Sequence, residues 1–388
     1  MAEKKNVVKK FGLDAVLENI SKSVGIDSKS FRRYDDSYKI ECLPTTIPEL
    51  DAMLGIGGIP WGTIVEFFGP EQSGKTWLAY ILAASCQAAK LPVLYLDAEG
   101  TLNPFRAKAV GVDPFNPELF IWKNEFDSGN QALDIVDLAT QSGEFGIIVV
   151  DSVASLIPKE EMENSLTKNS ALGLHARMMS RALPKIADSV KNKKTIVVFI
   201  NQIRSGNLGS FMGASEETTG GKALKFYSHV RIRLQARKAK DSKIIDKNKR
   251  VIGNMTQCRL IKTRYGMPFE ECDFPIYFVE RERDPFLEFF TFAERRGLMK
   301  FSNKYYRFPV EETTIKAKEI HEFRDMLLES GELINIAKEL GFDDPEQVVA
   351  GIVLAAENEA IASEEFEDEA DFVERVDMLP EDDAEDDE

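Results

Sequence analysis

Gly69-Pro70-Glu71-Gln72-Ser73-Gly74-Lys75-Thr76 is the stretch on which the fold turns. It follows the apolar run Ile64-Val65-Glu66-Phe67-Phe68 and precedes Trp77-Leu78-Ala79-Tyr80-Ile81-Leu82. A strand, a glycine turn and a helix start are therefore readable in sequence, and in that setting the spacing G-x-x-x-x-G-K-[ST] wraps a phosphate chain. Gly69 and Gly74 permit tight backbone geometry, so successive N–H groups can face the anion. Lys75 brings a positive charge to the terminal phosphates, and Thr76 offers a hydroxyl to Mg²⁺ at a helix N-terminus that already favours anions. The whole loop, Gly69, Pro70, Glu71, Gln72, Ser73, Gly74, Lys75 and Thr76, with Trp77 behind it, is read as the nucleotide site.

Outward from that loop the chain alternates short β-rich runs with helical segments. The runs are IVEFF (64–68), VLYLD (93–97), LFIW (119–122), IIVVD (147–151), TIVVFIN (195–201), HVRIRLQA (229–236) and QCRLIKT (257–263). The central runs are almost unbroken Val, Ile and Leu, as expected for strands covered on both faces. The expected fold class is therefore α/β, a doubly wound and mostly parallel sheet. Residues 39–280 form this core. Residues 1–38 hold an amphipathic helix, with Phe11, Leu13, Val16, Leu17 and Ile20 at helical spacing, and a polar linker; the stripe packs on the body or on another copy of the chain. Residues 281–352 read as a small α/β domain, with PFLEFFTFAERRGLM and IHEFRDMLLESGELINIAKELGF helical and YYRF between them. Residues 353–388 are an acidic tail.

Composition excludes several classes. No run approaches the 18 or so apolar residues of a membrane span, and the lysines near the N-terminus precede no apolar segment of a secretory signal. The four cysteines, Cys42, Cys86, Cys258 and Cys272, form no C-x-x-C; reduced thiols in a cytoplasmic protein are expected. The net charge of −16 is unevenly spread, because Ser363–Glu388 alone carries −14. A tail so charged repels itself and is expected to be disordered. The near-neutral body leaves nucleic-acid binding open.

Three polar residues at strand ends extend the candidate site. Asp151 closes IIVVD, where a nucleotide hydrolase keeps its Mg²⁺-side carboxylate, although a strand-end Asp also caps helices. Glu99, after VLYLDA, is placed to hold the attacking water, since phosphoryl transfer needs mainly positioning and charge stabilisation; alone it would be an ordinary loop carboxylate. Gln202, after TIVVFIN, is placed to sense a γ-phosphate, or else is a capping amide. In such sheets ligands bind at this edge.

Two further segments look wrong for a plain core. Arg204–Thr219, followed by Gly220-Gly221, is glycine-rich and aperiodic yet carries Leu208, Phe211 and Met212. Long aperiodic stretches inside compact domains are usually functional or disordered. Pro158–Ala171 leads into LGLHARMMSRAL, where Arg177 and Arg181 share a helix face that Pro184 then interrupts. Two loops beside basic groups suit a groove for a nucleic-acid backbone, with apolar wedges between bases; two surface loops and a solvated arginine face are the plain alternative. Lys262 and Arg264, two apart on a strand, point the same way, as an anion site or an exposed face. RKAKDSKIIDKNKR (237–250) is a basic hairpin or a nucleic-acid patch.

Taken in order, GPEQSGKT, LYLDAEGTLNPFRAKAVGVD, IIVVDSVASLIPK, GLHARMMS, FINQIR and TTGGKALKFY strongly resemble the RecA family of strand-exchange recombinases over about 50–275. The resemblance implies an ATP- and Mg²⁺-dependent DNA recombination and repair protein. It would form a helical filament with itself on single-stranded DNA, pair that strand with double-stranded DNA and hydrolyse ATP in response to DNA; loading or mediator proteins are possible partners. It implies that Glu99 activates water, with Lys75 and Gln202 completing the catalytic set, and that Thr76 and Asp151 hold Mg²⁺. Leu172, Arg177, Arg204, Leu208, Gly220 and Gly221 fall in the family's DNA-binding segments, and Lys262 and Arg264 match a pair that reaches the neighbouring subunit's ATP. Departures fall on the adenine side, where Arg106 stands for an aromatic and Asn103 for an acid, on Arg264, where lysine is usual, and on the second loop, one residue longer. The alternative is a RecA-fold filament or motor that uses ATP only as a switch or for translocation.

Overall fold

The computed structural model describes residues 12–31, 39–163, 173–204, 217–238, 242–245, 249–278, 285–310, 313–342, 345–346 and 348–353. Two compact units result, Met1–Ile40 and Glu41–Glu388. The first holds α1 (Leu13–Val24), closed by Gly25 in the left-handed conformation, whose N–H bonds Ser21 O. Leu13, Val16, Leu17 and Ile20 share one of its faces by spacing; Phe11 lies outside the described residues.

The second unit opens with β1 (Cys42–Leu43), α2 (Pro48–Leu54) and β2 (Ile59–Pro60), then enters the main sheet. Its parallel part comprises β3 (Thr63–Gly69), α3 (Lys75–Ala88), β4 (Val93–Asp97), α4 (Pro104–Lys108), β5 (Phe120–Lys123), α5 (Gly129–Ser142) and β6 (Ile147–Asp151). The chain continues through α6 (Lys159–Met162), α7 (Leu174–Ser189), the parallel β7 (Ile196–Arg204), the short β8 (Glu217–Thr218) antiparallel to it, α8 (Ala223–Tyr227) and the parallel β9 (Val230–Ala236). Across the sheet the parallel strands run β9-β3-β7-β6-β4-β5. β4 pairs β5 and β6 pairs β7, while β3 and β4, and β5 and β6, are separated in the sheet. All these connections join parallel strands and so need crossovers, which the helices supply on both faces. Ile64, Ile148, Val197 and Phe199 pack on the α5–α7 side; Val65, Phe67, Val149 and Val198 pack on the α3 side. The expected doubly wound core is present.

The sheet is then extended antiparallel by β10 (Lys243–Ile245), β11 (Val251–Lys262) and β12 (Glu271–Tyr277). The basic 237–250 segment thus includes a hairpin strand, and Arg237 forks onto Asp273 through Nε and Nη2 at 2.9 and 2.7 Å. The last elements are α9 (Pro285–Arg295), the antiparallel β13 (Lys300–Ser302), β14 (Tyr305–Val310) and β15 (Thr313–Ala317), then α10 (Ile320–Glu329) and α11 (Glu332–Glu339). They close on their own cluster, with Phe286, Phe289, Phe323 and Leu333 fully buried.

IHEFRDMLLESGELINIAKELGF is helical as expected, in two helices, with Gly331 at φ 75° between α10 and α11. Two expectations need correction. Pro184 does not interrupt its helix: α7 continues to Ser189. Pro184 and Ser180, whose carbonyl loses its partner, are both exposed, so water can serve that carbonyl, while Met179, Leu183 and Ile186 hold the opposite face in the core. Lys262 is the last residue of β11 and Arg264 lies beyond it, so the two are not alternate residues of one strand. The acidic tail from residue 354 lies outside the described residues.

Candidate nucleotide site and loop roots

Register brings the strand-end residues to one edge. Gly69 is level with Gln202, and Asp97 with Asp151. The phosphate loop leaves β3 there and α3 begins at Lys75, its N-cap Gly74 having φ 89° and supplying no side-chain cap. The first N–H groups of α3 are therefore available to a ligand. A Cβ on Gly69 would lie 2.1 Å from Leu234 O, so only glycine fits. The Ser73 hydroxyl is buried without a hydrogen-bond partner among the described residues. Lys75 Nζ donates to Gly69 O at 3.2 Å and to Pro70 O at 2.6 Å. Burial lowers its pKa, against the raising influence of Asp151, Glu99 and Glu71. A buried ammonium held on carbonyls, beside an orphaned hydroxyl and open helix N–H groups, suits a triphosphate.

Asp151 sits at the centre. Its Oδ2 accepts from Thr76 Oγ1 at 2.9 Å and from Tyr95 Oη at 2.8 Å. Burial raises its pKa to about 6; the two hydrogen bonds oppose the rise, and Glu99 and Asp97 add to it. Among the described residues no three His, Cys, Asp or Glu side chains cluster as a metal cage. One carboxylate and one hydroxyl beside a phosphate site fit Mg²⁺, which takes few protein ligands and completes its shell with water and phosphate oxygens.

Glu99 is exposed but oriented from two sides: its Oε1 accepts from Ser152 Oγ and from Gln202 Nε2, the latter at 3.2 Å. Asp97 fixes the turn that carries it, accepting N–H bonds from Thr101 at 3.1 Å and Leu102 at 2.8 Å. The Asp151–Ser152 peptide bond is cis. Tyr95, Asp97 and Ser152 were missed in sequence. A phenol in a buried strand needs a partner, and Tyr95 alone gave that signal. Asn103 caps α4, accepting from Arg106 N–H at 3.1 Å, and the Arg106 side chain is exposed.

Gln202 lies inside β7, which continues to Arg204; β8 pairs back onto it, with Ile203 opposite Thr218 and Arg204 opposite Glu217. The second loop is thus narrower than Arg204–Thr219 suggested, with both ends in a ladder. Gly220 and Gly221 follow at φ 92° and 73°. A Cβ on Gly221 would lie 2.9 Å from Ala176 Cβ, and one on Gly220 3.3 Å from Met179 Cγ. His175 Nε2 hydrogen-bonds Val153 O at 2.9 Å. The roots of 164–172 and 205–216 therefore pack together beside Asp151. Arg177 and Arg181 are exposed on α7; Leu172 and Leu208 lie outside the described residues.

Lys262 and Arg264 do not join this edge. Lys262 Nζ donates to Lys225 O at 2.8 Å and Phe226 O at 2.9 Å, at the end of α8. Burial, then the nearby Arg264 and Arg231, lower its pKa. His229 shares the cluster; its Nδ1 accepts from Ile64 N–H at 3.1 Å. Burial, then Arg264, Lys262 and Lys191, push it down to about 4.

A doubly wound sheet with this loop, lysine, hydroxyl and strand-end carboxylate defines a phosphate-loop nucleotide-binding protein. Residues 11–281 match the family model described as the RecA N-terminal domain. Protein RecA of Streptomyces rimosus is 40% identical over 266 residues, 69% of this chain and 68% of that protein. The chain belongs to the RecA family. It is an ATP-dependent recombinase, of a family that binds ATP with magnesium, binds DNA and forms filaments with itself. No described helix is long and apolar enough to cross a membrane.

Proposed function

We propose that this chain assembles on single-stranded DNA, shares each ATP between adjacent protomers, and hydrolyses it in response to DNA while pairing the strand with a homologous duplex. The observation that carries the reading is the continuity of β7: Gln202 touches Glu99 at the nucleotide edge, and two residues later the same strand enters 205–216.

In this reading Glu99 takes the proton of the attacking water at Oε1, the oxygen that Ser152 and Gln202 orient. Lys75 leaves the loop carbonyls for the phosphates. Thr76 and Asp151 would hold Mg²⁺, which would supply charge neutralisation on the phosphates. Asn103 and Arg106 stand on the adenine side, where the guanidinium can stack on a purine. Arg177, Arg204, Gly220 and Gly221 serve DNA, with Leu172 and Leu208 as wedges.

Sharing of the nucleotide is supported by distance. His229, beside Lys262 and Arg264, bonds Ile64, five residues before Gly69 on β3. That separation is about 16 Å along a strand, beyond a lysine's reach. The pair is therefore read as completing a neighbour's site, in a head-to-tail polymer. Residues 1–38 act in assembly and 281–352 as a separate small domain; the acidic tail restrains duplex entry.

The test is joint-molecule formation between a single strand and a homologous duplex. Product is expected with ATP and with a non-hydrolysable analogue, and none without nucleotide. Duplex unwinding in place of pairing would overturn the reading.

A further inference from the structure

Glu66 stands in the middle of a central strand and is fully buried. A carboxylate survives such a place only when paired and hydrogen-bonded. Here Oε2 accepts from Arg231 Nε on β9, and Oε1 accepts from Asn201 Nδ2 on β7 at 3.0 Å. The Arg231 guanidinium also lies 4.5 Å from the Phe68 ring centroid. Asn201, itself fully buried, uses the second Nδ2 hydrogen on Thr219 O at 2.9 Å, and its Oδ1 accepts from Gln202 N–H at 2.9 Å.

One amide therefore touches both the residue that meets Glu99 and the last residue before the Gly220-Gly221 turn. The Thr218 and Thr219 hydroxyls beside it are buried and find no hydrogen-bond partner among the described residues. Buried polar atoms without partners call for an explanation, and one is that their bonding is completed in another arrangement. The helices on this face, α7 and α8, carry the root of 164–172 and the Lys262 contact.

We propose that Asn201 is a positioning residue that couples the nucleotide edge to the root of the 205–216 segment, with the Glu66–Arg231 pair holding its amide in place. Gln202 and Thr219 lie on opposite arms of the β7–β8 hairpin, and Asn201 is the rigid link between them. When Gln202 shifts, the amide carries the shift to the Thr219 carbonyl. This rests on the reading in which Gln202 senses the nucleotide and 205–216 binds DNA.

The test uses the full chain and two variants, Asn201→Asp alone and Asn201→Asp combined with Glu66→Gln. The single variant places two carboxylates together and turns oxygen toward Thr219 O. The double variant returns the net charge and lets the new amide at position 66 donate to the new carboxylate at position 201. It cannot restore donation to Thr219 O. The readouts are melting temperature, DNA-free ATP hydrolysis, and the ratio of affinities for a single-stranded oligonucleotide with and without a non-hydrolysable ATP analogue. Expected is recovery of melting temperature and DNA-free hydrolysis in the double variant. Its nucleotide-dependent gain in DNA affinity should stay within about twofold of none, where the wild type gains about tenfold or more. Recovery of the full gain together with stability would overturn the proposal and leave Asn201 a structural residue. Absence of any gain in the wild type would instead overturn the underlying reading, and this proposal with it.

Discussion

The two ends of the parallel strands hold cations in opposite ways. At the phosphate-loop end, Lys75 faces Asp151, Glu99 and Glu71 within the same chain, and Thr76, Asp151, Glu99 and Gln202 have local partners. At the other end, Lys262, Arg264 and His229 crowd together, and Lys262 spends its hydrogen bonds on the carbonyls that finish α8. The first edge is assembled by folding. At the second, Lys262 and His229 are depressed by burial and by their cationic neighbours, an arrangement that an incoming anion would relieve. Under the proposed sharing of the nucleotide, a protomer is half a site twice over, and a polymer would join the halves.

The largest expected break is at the assembled edge. Glu99→Gln keeps the Ser152 and Gln202 neighbourhood but removes the base, so turnover should fall about 10²–10³-fold while ATP binding persists, as single-turnover hydrolysis and nucleotide binding would report. Hydrolysis that persists at the wild-type rate would remove Glu99 from its role. Next comes a mixing experiment across the two edges. Lys75→Ala and Lys262→Ala are each expected to be inactive alone. Mixed in equal amounts, they should recover about a quarter of wild-type DNA-stimulated hydrolysis, because about one interface in four unites an intact loop with intact cations. No recovery would mean that both lysines serve the same protomer's nucleotide.

The smallest effect concerns His229. Its ordinary pKa of 6.5 is held at about 4 in the folded chain, chiefly by burial. Above pH 6.5 the ring is neutral in both states; between 6.5 and about 4 the unfolded chain takes up a proton that the folded chain refuses, so stability falls on acidification and levels off below that. With the ring partly exposed, the loss is about 2 kcal/mol. His229→Asn keeps an acceptor for Ile64 N–H and should shrink the acid loss by that amount in denaturant titrations near neutral and near acid pH. An unchanged slope would show that this ring is not held below its ordinary pKa in the folded chain.

Legibility in sequence followed the same divide. β4, β6 and the first part of β7 are apolar runs, and the strand-end position of Asp151 followed from counting, whereas Gln202 lies inside β7, which runs on to Arg204. Their partners did not, because Tyr95, Ser152 and Glu66 meet their bonds across strands, and pairing order is not a local property. The antiparallel extension was harder still. β12 contains Asp273 and Pro275, and an edge strand tolerates both where a central strand does not. Lys262 and Arg264 matched strand spacing, but β11 slips register against β9 between Leu260 and Lys262 and then ends. The helix at Pro184 was misjudged because the residue's effect depends on which face it occupies, and only packing decides that.

The short pairing of β8 with β7 has a consequence for how this chain can vary. Two residue pairs pinch the chain on either side of 205–216, so the separation of its ends is set by one strand spacing whatever lies between. Length changes between the two pairs leave the alignment of Gln202 with Gly69 untouched, so that stretch can vary without disturbing the nucleotide edge.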